Sequence, residues 1–125
     1  MKTKQVDLFT SAADVITMDG HVVNKVGTFQ LALLADYYKI PYYVTGSPNS
    51  AHPTADTVVI EERDPELALK ALEVKVTKDG VKGYYPAFDI TPPELVTGVV
   101  TQKGIFAPGN LRQFYEGCFS SGFCK

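Results

Sequence analysis

The stretch from Val6 to Val44, VDLFTSAADVITMDGHVVNKVGTFQLALLADYYKIPYYV, decides how the chain is read. Val6, Leu8 and Phe9 make a short apolar run with strand character, followed by the small and turn-forming residues SAAD and then Met18-Asp19-Gly20. Val26 to Tyr38 is rich in Leu and Ala, and after Thr28 only Gln30 and Asp36 interrupt its apolar character. That composition predicts a helix buried on nearly every side, lying between a sheet and a second surface. Ile40-Pro41 ends it, because a residue before proline is pushed out of the α region. Tyr42-Tyr43-Val44 then reads as a second strand, parallel to the first through a right-handed crossover. The order strand, loop, helix, strand predicts an α/β fold, a Rossmann-like, mostly parallel sheet with flanking helices. In such folds the loop that leaves a strand and feeds a helix is where chemistry is placed.

Working outward, 125 residues are enough for one compact domain that buries roughly two thirds of its unfolded surface. The organised part is expected over residues 1–108, with a final helix and a Gly/Ser/Cys tail over 109–125. A composition of 45% hydrophobic and 21% charged residues is that of a soluble globular protein. The net charge of -2 leaves no electrostatic footprint for nucleic acid or an anionic membrane. No apolar run approaches the roughly 20 residues of a membrane helix, and the start MKTKQVD lacks the apolar core of a secretory signal. A cytoplasmic location is the expectation. Both cysteines, Cys118 and Cys124, stand in the last eight residues, far from His21 and His52, so neither a metal site nor a bound cofactor is expected.

Residues 45 to 56 read as loop, Thr57 to Ile60 as a third strand, and Asp64-Pro65 as the cap and first residue of a short helix through Leu72. Asp79-Gly80, between EVKVT and VKGYY, predicts a hairpin or irregular excursion. Thr91-Pro92-Pro93-Glu94 has the spacing of a capping box, which predicts a helix from Glu94 to Lys103. A last turn or two of helix is expected between Asn110 and Glu116.

Asp14 follows the first strand among Ala12, Ala13, Val15 and Ile16. It reads either as a turn cap or as a carboxylate desolvated by apolar neighbours and so suited to proton transfer. Asp19 beside Gly20 reads as a turn residue. Asn24 and Lys25 stand where the helix is expected to begin, so they belong either to a simple cap or to an anion site at the positive end of the helix dipole. Gly27 would let a ligand approach the backbone there. Tyr84, Tyr85, Phe88 and Asp89 read as core or interface residues, with Asp89 holding the turn before Thr91.

Three blocks in order, ADVITMDGHVVNKVGTFQLALLADYYKIPYYV, IEERDP and YYPAFDITPPELVTGVVTQKGIFAP, resemble the carboxyl-terminal part of the methylthioribose-1-phosphate isomerase family. That family is related to the regulatory subunits of initiation factor 2B and to ribose-1,5-bisphosphate isomerase. The resemblance implies an aldose-to-ketose sugar-phosphate isomerase of methionine or 5-deoxyribose salvage, with Asp14 as catalytic acid or base and Asn24 and Lys25 as substrate contacts. It also implies a dimer, or association with an amino-terminal part that supplies a catalytic cysteine and phosphate-binding arginines. The chain then corresponds to a truncated carboxyl-terminal domain, carrying half of an active site. Where the family has Gly-Ala-Asp-Arg, this chain has Ala12-Ala13-Asp14-Val15, so the acid is kept and the arginine is not. The competing reading is a non-catalytic, initiation-factor-like module that binds a sugar phosphate or nucleotide and assembles with other subunits.

Overall fold

The computed structural model describes residues 1–3 and 5–116. Cys118, Cys124 and the end of the expected tail lie outside the described residues. Strand β1 (Phe9–Ala12) pairs in parallel with β4 (Tyr42–Thr45), which pairs in parallel with β8 (Gly98–Thr101). β9 (Gly104–Phe106) returns antiparallel on β8, giving the order β1-β4-β8-β9. A second, antiparallel sheet has the order β2-β3-β7, from β2 (Val15–Ile16), β3 (Val22–Lys25) and β7 (Phe88–Thr91). Helix α1 (Thr28–Tyr37) packs on β7, β1 and β4. The expected α/β architecture, with a mostly parallel main sheet, is therefore present.

Burial explains the main sheet. Val44 and Val99, on neighbouring central strands, are fully buried and join Ile16, Val22, Ala32, Tyr42, Val96 and Leu111 in one core, with Phe9, Ala13, Leu95 and Phe106 packed against it. β-branched residues fit such a pleated surface. This is why the helix expected over Glu94 to Lys103 is not there: the run Val96-Thr97-Gly98-Val99-Val100-Thr101 supplies a strand to the middle of the sheet, and only Pro93–Leu95 forms a 3-10 turn. Thr91 is the last residue of β7 and fully buried, so it does not open a capping box.

Other expectations shift by smaller amounts. The first strand begins at Phe9, leaving Val6 and Leu8 exposed, and it includes the Ser11 and Ala12 read as turn. Thr57 to Ile60 forms no strand. Ala55–Thr57 is a 3-10 turn, Val59 is 93% exposed, and pairing is limited to a bridge between Glu62 and Pro86, whose missing N–H cannot extend a ladder. Asp64 does cap as expected, accepting from the Glu66 amide at 3.0 Å, but the helix is a 3-10 segment, Pro65–Leu69. The hairpin of the excursion turns at Leu72 and Glu73, both with positive φ, between β5 (Lys70–Ala71) and β6 (Val74–Lys75), not at Asp79-Gly80. The chain closes with α2 (Gln113–Glu116), as expected near that end.

Helix α1 is buried on one side. Thr28, Ala32 and Ala35 face the protein, whereas Leu31, Leu33, Leu34, Tyr37 and Tyr38 are exposed, Tyr37 to 75%. The expected burial on nearly every side is thus absent among the described residues, and an apolar helix face is left open. Among those residues no helix is long and apolar enough to cross a membrane.

Candidate functional site

The parallel strands β1, β4 and β8 all end on the same edge of the main sheet. Asp14 lies just past β1, Gly46 and Ser47 just past β4, and Gln102 just past β8. The edge is tied by backbone and side-chain bonds: the Gly46 amide donates to the Val100 carbonyl at 3.1 Å, and the Ser47 hydroxyl donates to Gln102 Oε1 at 2.8 Å. Two surface depressions, of about 300 and 290 Å³, lie at the other end. Their linings include Val6, Asp7, Pro41 and Thr97, which precede β1, β4 and β8, so neither depression touches Asp14.

A hairpin that was not expected brings Asp14 against the strand that carries Asn24. Val15-Ile16 and Val22-Val23 flank the turn containing Met18-Asp19-Gly20, and they pair antiparallel with Val15 opposite Val23. The Asp14 amide donates to the Val23 carbonyl at 2.9 Å, which holds the bend at Asp14 against β3 beside the residue that precedes Asn24. Asn24 is in turn opposite Asp89 on β7. Asn24 and Asp89 are thus opposed, and opposed residues of an antiparallel pair stand on the same face, roughly 5 Å apart at Cβ. Lys25 follows at the end of β3, its ammonium 5.1 Å from the centre of the Phe88 ring. Asp14 itself is exposed, so the apolar enclosure read from its sequence neighbours is not provided by the described residues.

The turn of the hairpin is well anchored. Thr17, fully buried, donates its hydroxyl to Asp19, while the His21 amide donates to Thr17 Oγ1 at 3.0 Å. His21 Nδ1 lies 3.0 Å from Asp19 Oδ1. Burial pushes the Asp19 carboxyl up, but Thr17 and His21 outweigh it and leave the group below its ordinary value. Gly20 has φ +90, and a Cβ there would meet the Pro108 carbonyl oxygen at 2.7 Å, so only glycine fits this turn. Asp19 is thus the structural turn residue that its sequence context indicated.

The start of α1 differs from expectation in a way that matters for binding. Asn24 and Lys25 are on strand β3, and the helix begins at Thr28 after Gly27, which takes φ +105. Two of the amides at this start are already used: Asp89 Oδ2 accepts from the Gly27 amide at 2.7 Å and from the Phe29 amide at 3.1 Å. A carboxylate from 60 residues downstream thus caps this helix and puts a negative charge at the positive end of its dipole. Asp89 does not hold the turn before Thr91. Asn24 Nδ2 donates to Thr28 Oγ1 at 3.2 Å, and the Thr28 hydroxyl donates to the Lys25 carbonyl at 2.7 Å. A capped helix start and the two expected substrate contacts are therefore one hydrogen-bonded unit. Among the described residues no group of three His, Cys, Asp or Glu side chains is placed to hold a metal ion.

Comparison with known proteins agrees with this architecture. The pattern of the initiation factor 2 subunit family matches residues 1–108. Methylthioribose-1-phosphate isomerase of Trichoplax adhaerens is 37% identical over 114 residues, covering 90% of this chain and 31% of the relative. The enzyme of that name from Chloroflexus aurantiacus is 40% identical over 123 residues, covering 94% and 35%. The crystal structure of 5-methylthioribose 1-phosphate isomerase from Pyrococcus horikoshii superposes with a TM-score of 0.83 at 32% identity, covering 92% of this chain and 33% of that one. The delta subunit of translation initiation factor eIF-2B from A. fulgidus gives 0.77 at 34% identity, covering 93% and 33%. The chain spans about a third of the length of these relatives.

Proposed function

The chain belongs to the initiation factor 2 subunit family, and on that premise we propose that it carries the carboxyl-terminal half of a sugar-phosphate isomerase site, of the kind that converts methylthioribose 1-phosphate to its ketose. The observation that carries this reading is the bond from the Asp14 amide to the Val23 carbonyl, which holds Asp14, just past the carboxyl end of β1, beside the strand that carries Asn24 and Lys25. Aldose-to-ketose conversion moves a proton between adjacent carbons, a step for a carboxylate placed within hydrogen-bond reach. Asp14 is that carboxylate. Lys25, held over the Phe88 ring, is a point charge for the phosphate, and Asn24 offers an amide to a sugar hydroxyl.

The exposure of Asp14 has a consequence under this reading. Proton transfer at carbon needs a water-poor site, and the described residues leave Asp14 in solvent. The covering wall, together with the catalytic cysteine and phosphate-binding arginines that the resemblance implies, is supplied by an amino-terminal part of the kind the longer relatives have. The open face of α1, with Leu31, Leu34 and Tyr38 at helical spacing, supports association with such a part or with a second copy, because so continuous an apolar stripe is costly in water. Mixing the chain with the amino-terminal two thirds of the Pyrococcus horikoshii enzyme and assaying methylthioribose 1-phosphate isomerisation tests the reading. Turnover in the mixture, absent from either part alone, is expected; a folded complex without turnover contradicts it.

A second reading is favoured by the same exposure and by the likeness to the A. fulgidus subunit: a module that binds a sugar phosphate or nucleotide without turnover. In that case ribose 1-phosphate binds equally well to the chain and to its Asp14→Asn variant, and the mixture stays inactive.

A further inference from the structure

We propose that Asp89 is a positioning residue that sets where Asn24 and Lys25 point and keeps a ligand's phosphate off the helix axis. The inference rests on the reading of Asn24 and Lys25 as substrate contacts. Asp89 reaches them from β7 in three ways at once. It is the cross-strand partner of Asn24. Its Oδ2 holds the Gly27 and Phe29 amides and so fixes the left-handed turn at Gly27. That turn presents Thr28, whose hydroxyl takes the Asn24 amide and gives its own proton to the Lys25 carbonyl.

The second carboxylate oxygen makes the case sharper. Asp89 Oδ1 is buried without a hydrogen-bond partner among the described residues. A half-buried carboxylate with one idle oxygen is costly to desolvate, so what holds it there is the work of Oδ2. Its charge also occupies the end of the helix dipole, where an anion would otherwise settle. A phosphate is therefore repelled from the amides of α1 and directed outward to Lys25, whose ammonium is held on the Phe88 ring rather than paired to Asp89. The same carboxylate that builds the turn excludes phosphate from it.

The test uses the 125-residue chain labelled with nitrogen-15, with ribose 1-phosphate as the probe. In the wild-type chain the probe is expected to shift the Asn24 and Lys25 amides and to leave Gly27 and Phe29 unchanged. Asp89→Ala should keep the β4 and β8 resonances yet bind at least about tenfold more weakly, since a misplaced contact loses binding steeply. Asp89→Asn, whose carbonyl can still cap, should recover to within about threefold of wild type. A folded Asp89→Ala chain with wild-type affinity overturns the proposal, as does an Asp89→Asn chain no better than Asp89→Ala. Thr28→Ala breaks the link from the capped turn to Asn24 without touching Asp89, and it must weaken binding too if Asp89→Ala fails to fold; wild-type binding by Thr28→Ala overturns the proposal in that case. If the probe leaves Asn24 and Lys25 of the wild-type chain unmoved, the substrate reading fails by itself. Positioning is then judged on the Asn24 side-chain amide signal and on amide exchange at Gly27 and Phe29, which Asp89→Ala must alter with the sheets intact; no change there overturns it.

Discussion

Replacing Tyr42 by Phe removes one hydroxyl from the centre of the core. Tyr42 is 1% exposed, its ring stacks on Phe9 at 4.4 Å, and its phenolic oxygen lies 2.7 Å from Ser11 Oγ. Ser11 keeps a second partner, the Ala12 carbonyl at 2.8 Å, so the change orphans nothing, and the loss at pH 7 is that of one net hydrogen bond, about 1 kcal/mol. Tyr42→Leu also loses the ring stack and leaves a void, for roughly 2–3 kcal/mol. The sign of the pH dependence is specific. Burial pushes the Tyr42 phenol up, Asp89's charge adds to it, and the Ser11 bond opposes without cancelling. A phenol raised in the folded state contributes stability that is whole below the unfolded value near pH 10 and is lost above it, because the unfolded chain then ionises first. Wild type should therefore lose ground to Tyr42→Phe by up to about 1.4 kcal/mol per pH unit beyond pH 10, until its native phenol also ionises. The other six tyrosines are common to both proteins and drop out of the difference. Urea unfolding followed by circular dichroism at pH 7, 9, 10 and 11 measures it. Equal stability at pH 7, or a difference that stays constant from pH 9 to 11, would refute the reasoning.

Two further predictions concern the hairpin turn and the open helix face. Asp19→Asn should cost a few tenths to about 1 kcal/mol at neutral pH, since Asp19 is partly exposed. Because the Asp19 carboxyl is lowered on folding, its contribution is present above the unfolded value near 3.9 and fades as pH falls below it, so wild type and variant should converge in acid denaturation; curves that stay parallel from pH 6 to pH 3 would count against the turn network. Leu31→Glu combined with Leu34→Glu should abolish concentration-dependent association of the chain in sedimentation while leaving its far-ultraviolet spectrum unchanged. Persistent association of the double variant would place the contact elsewhere.

What could be read from the chain follows the range of the interactions. The β1-α1-β4 unit depends on neighbours in sequence: an apolar run, a Leu/Ala helix and the Ile40-Pro41 stop are all local signals, and Asp64 caps Glu66 two residues away. The resemblance marks Asp14, Asn24 and Lys25 as candidates, whereas composition alone assigns the last two to a helix start. The Val15-Ile16 and Val22-Val23 pair around Asp19-Gly20 was the hairpin signal that could have corrected this. Residues Glu94 to Lys103 read as helix because Thr91-Pro92-Pro93-Glu94 imitates a helix cap, while the β-branched residues from Val96 onward favour the strand that forms. Asp89 could not have been recognised from spacing, since its partners Gly27 and Phe29 are 62 and 60 residues away and the contact exists only once β3 and β7 pair. The exposed side of α1 reflects a different limit: its apolar character says that the face is to be covered, not by what.

Under the proposed function, Asp14 moves a proton on a sugar phosphate once the rest of the site is supplied. The direct measurement is exchange of a substrate carbon-bound hydrogen with deuterated solvent, catalysed by the chain mixed with the amino-terminal two thirds of the Pyrococcus horikoshii enzyme, for wild type and Asp14→Asn. The account predicts exchange and ketose formation with wild type, and a loss of at least about a hundredfold with Asp14→Asn while the Asn24 and Lys25 amides still respond to substrate. Exchange that survives the substitution, or a properly assembled wild-type mixture that gives none, would contradict it.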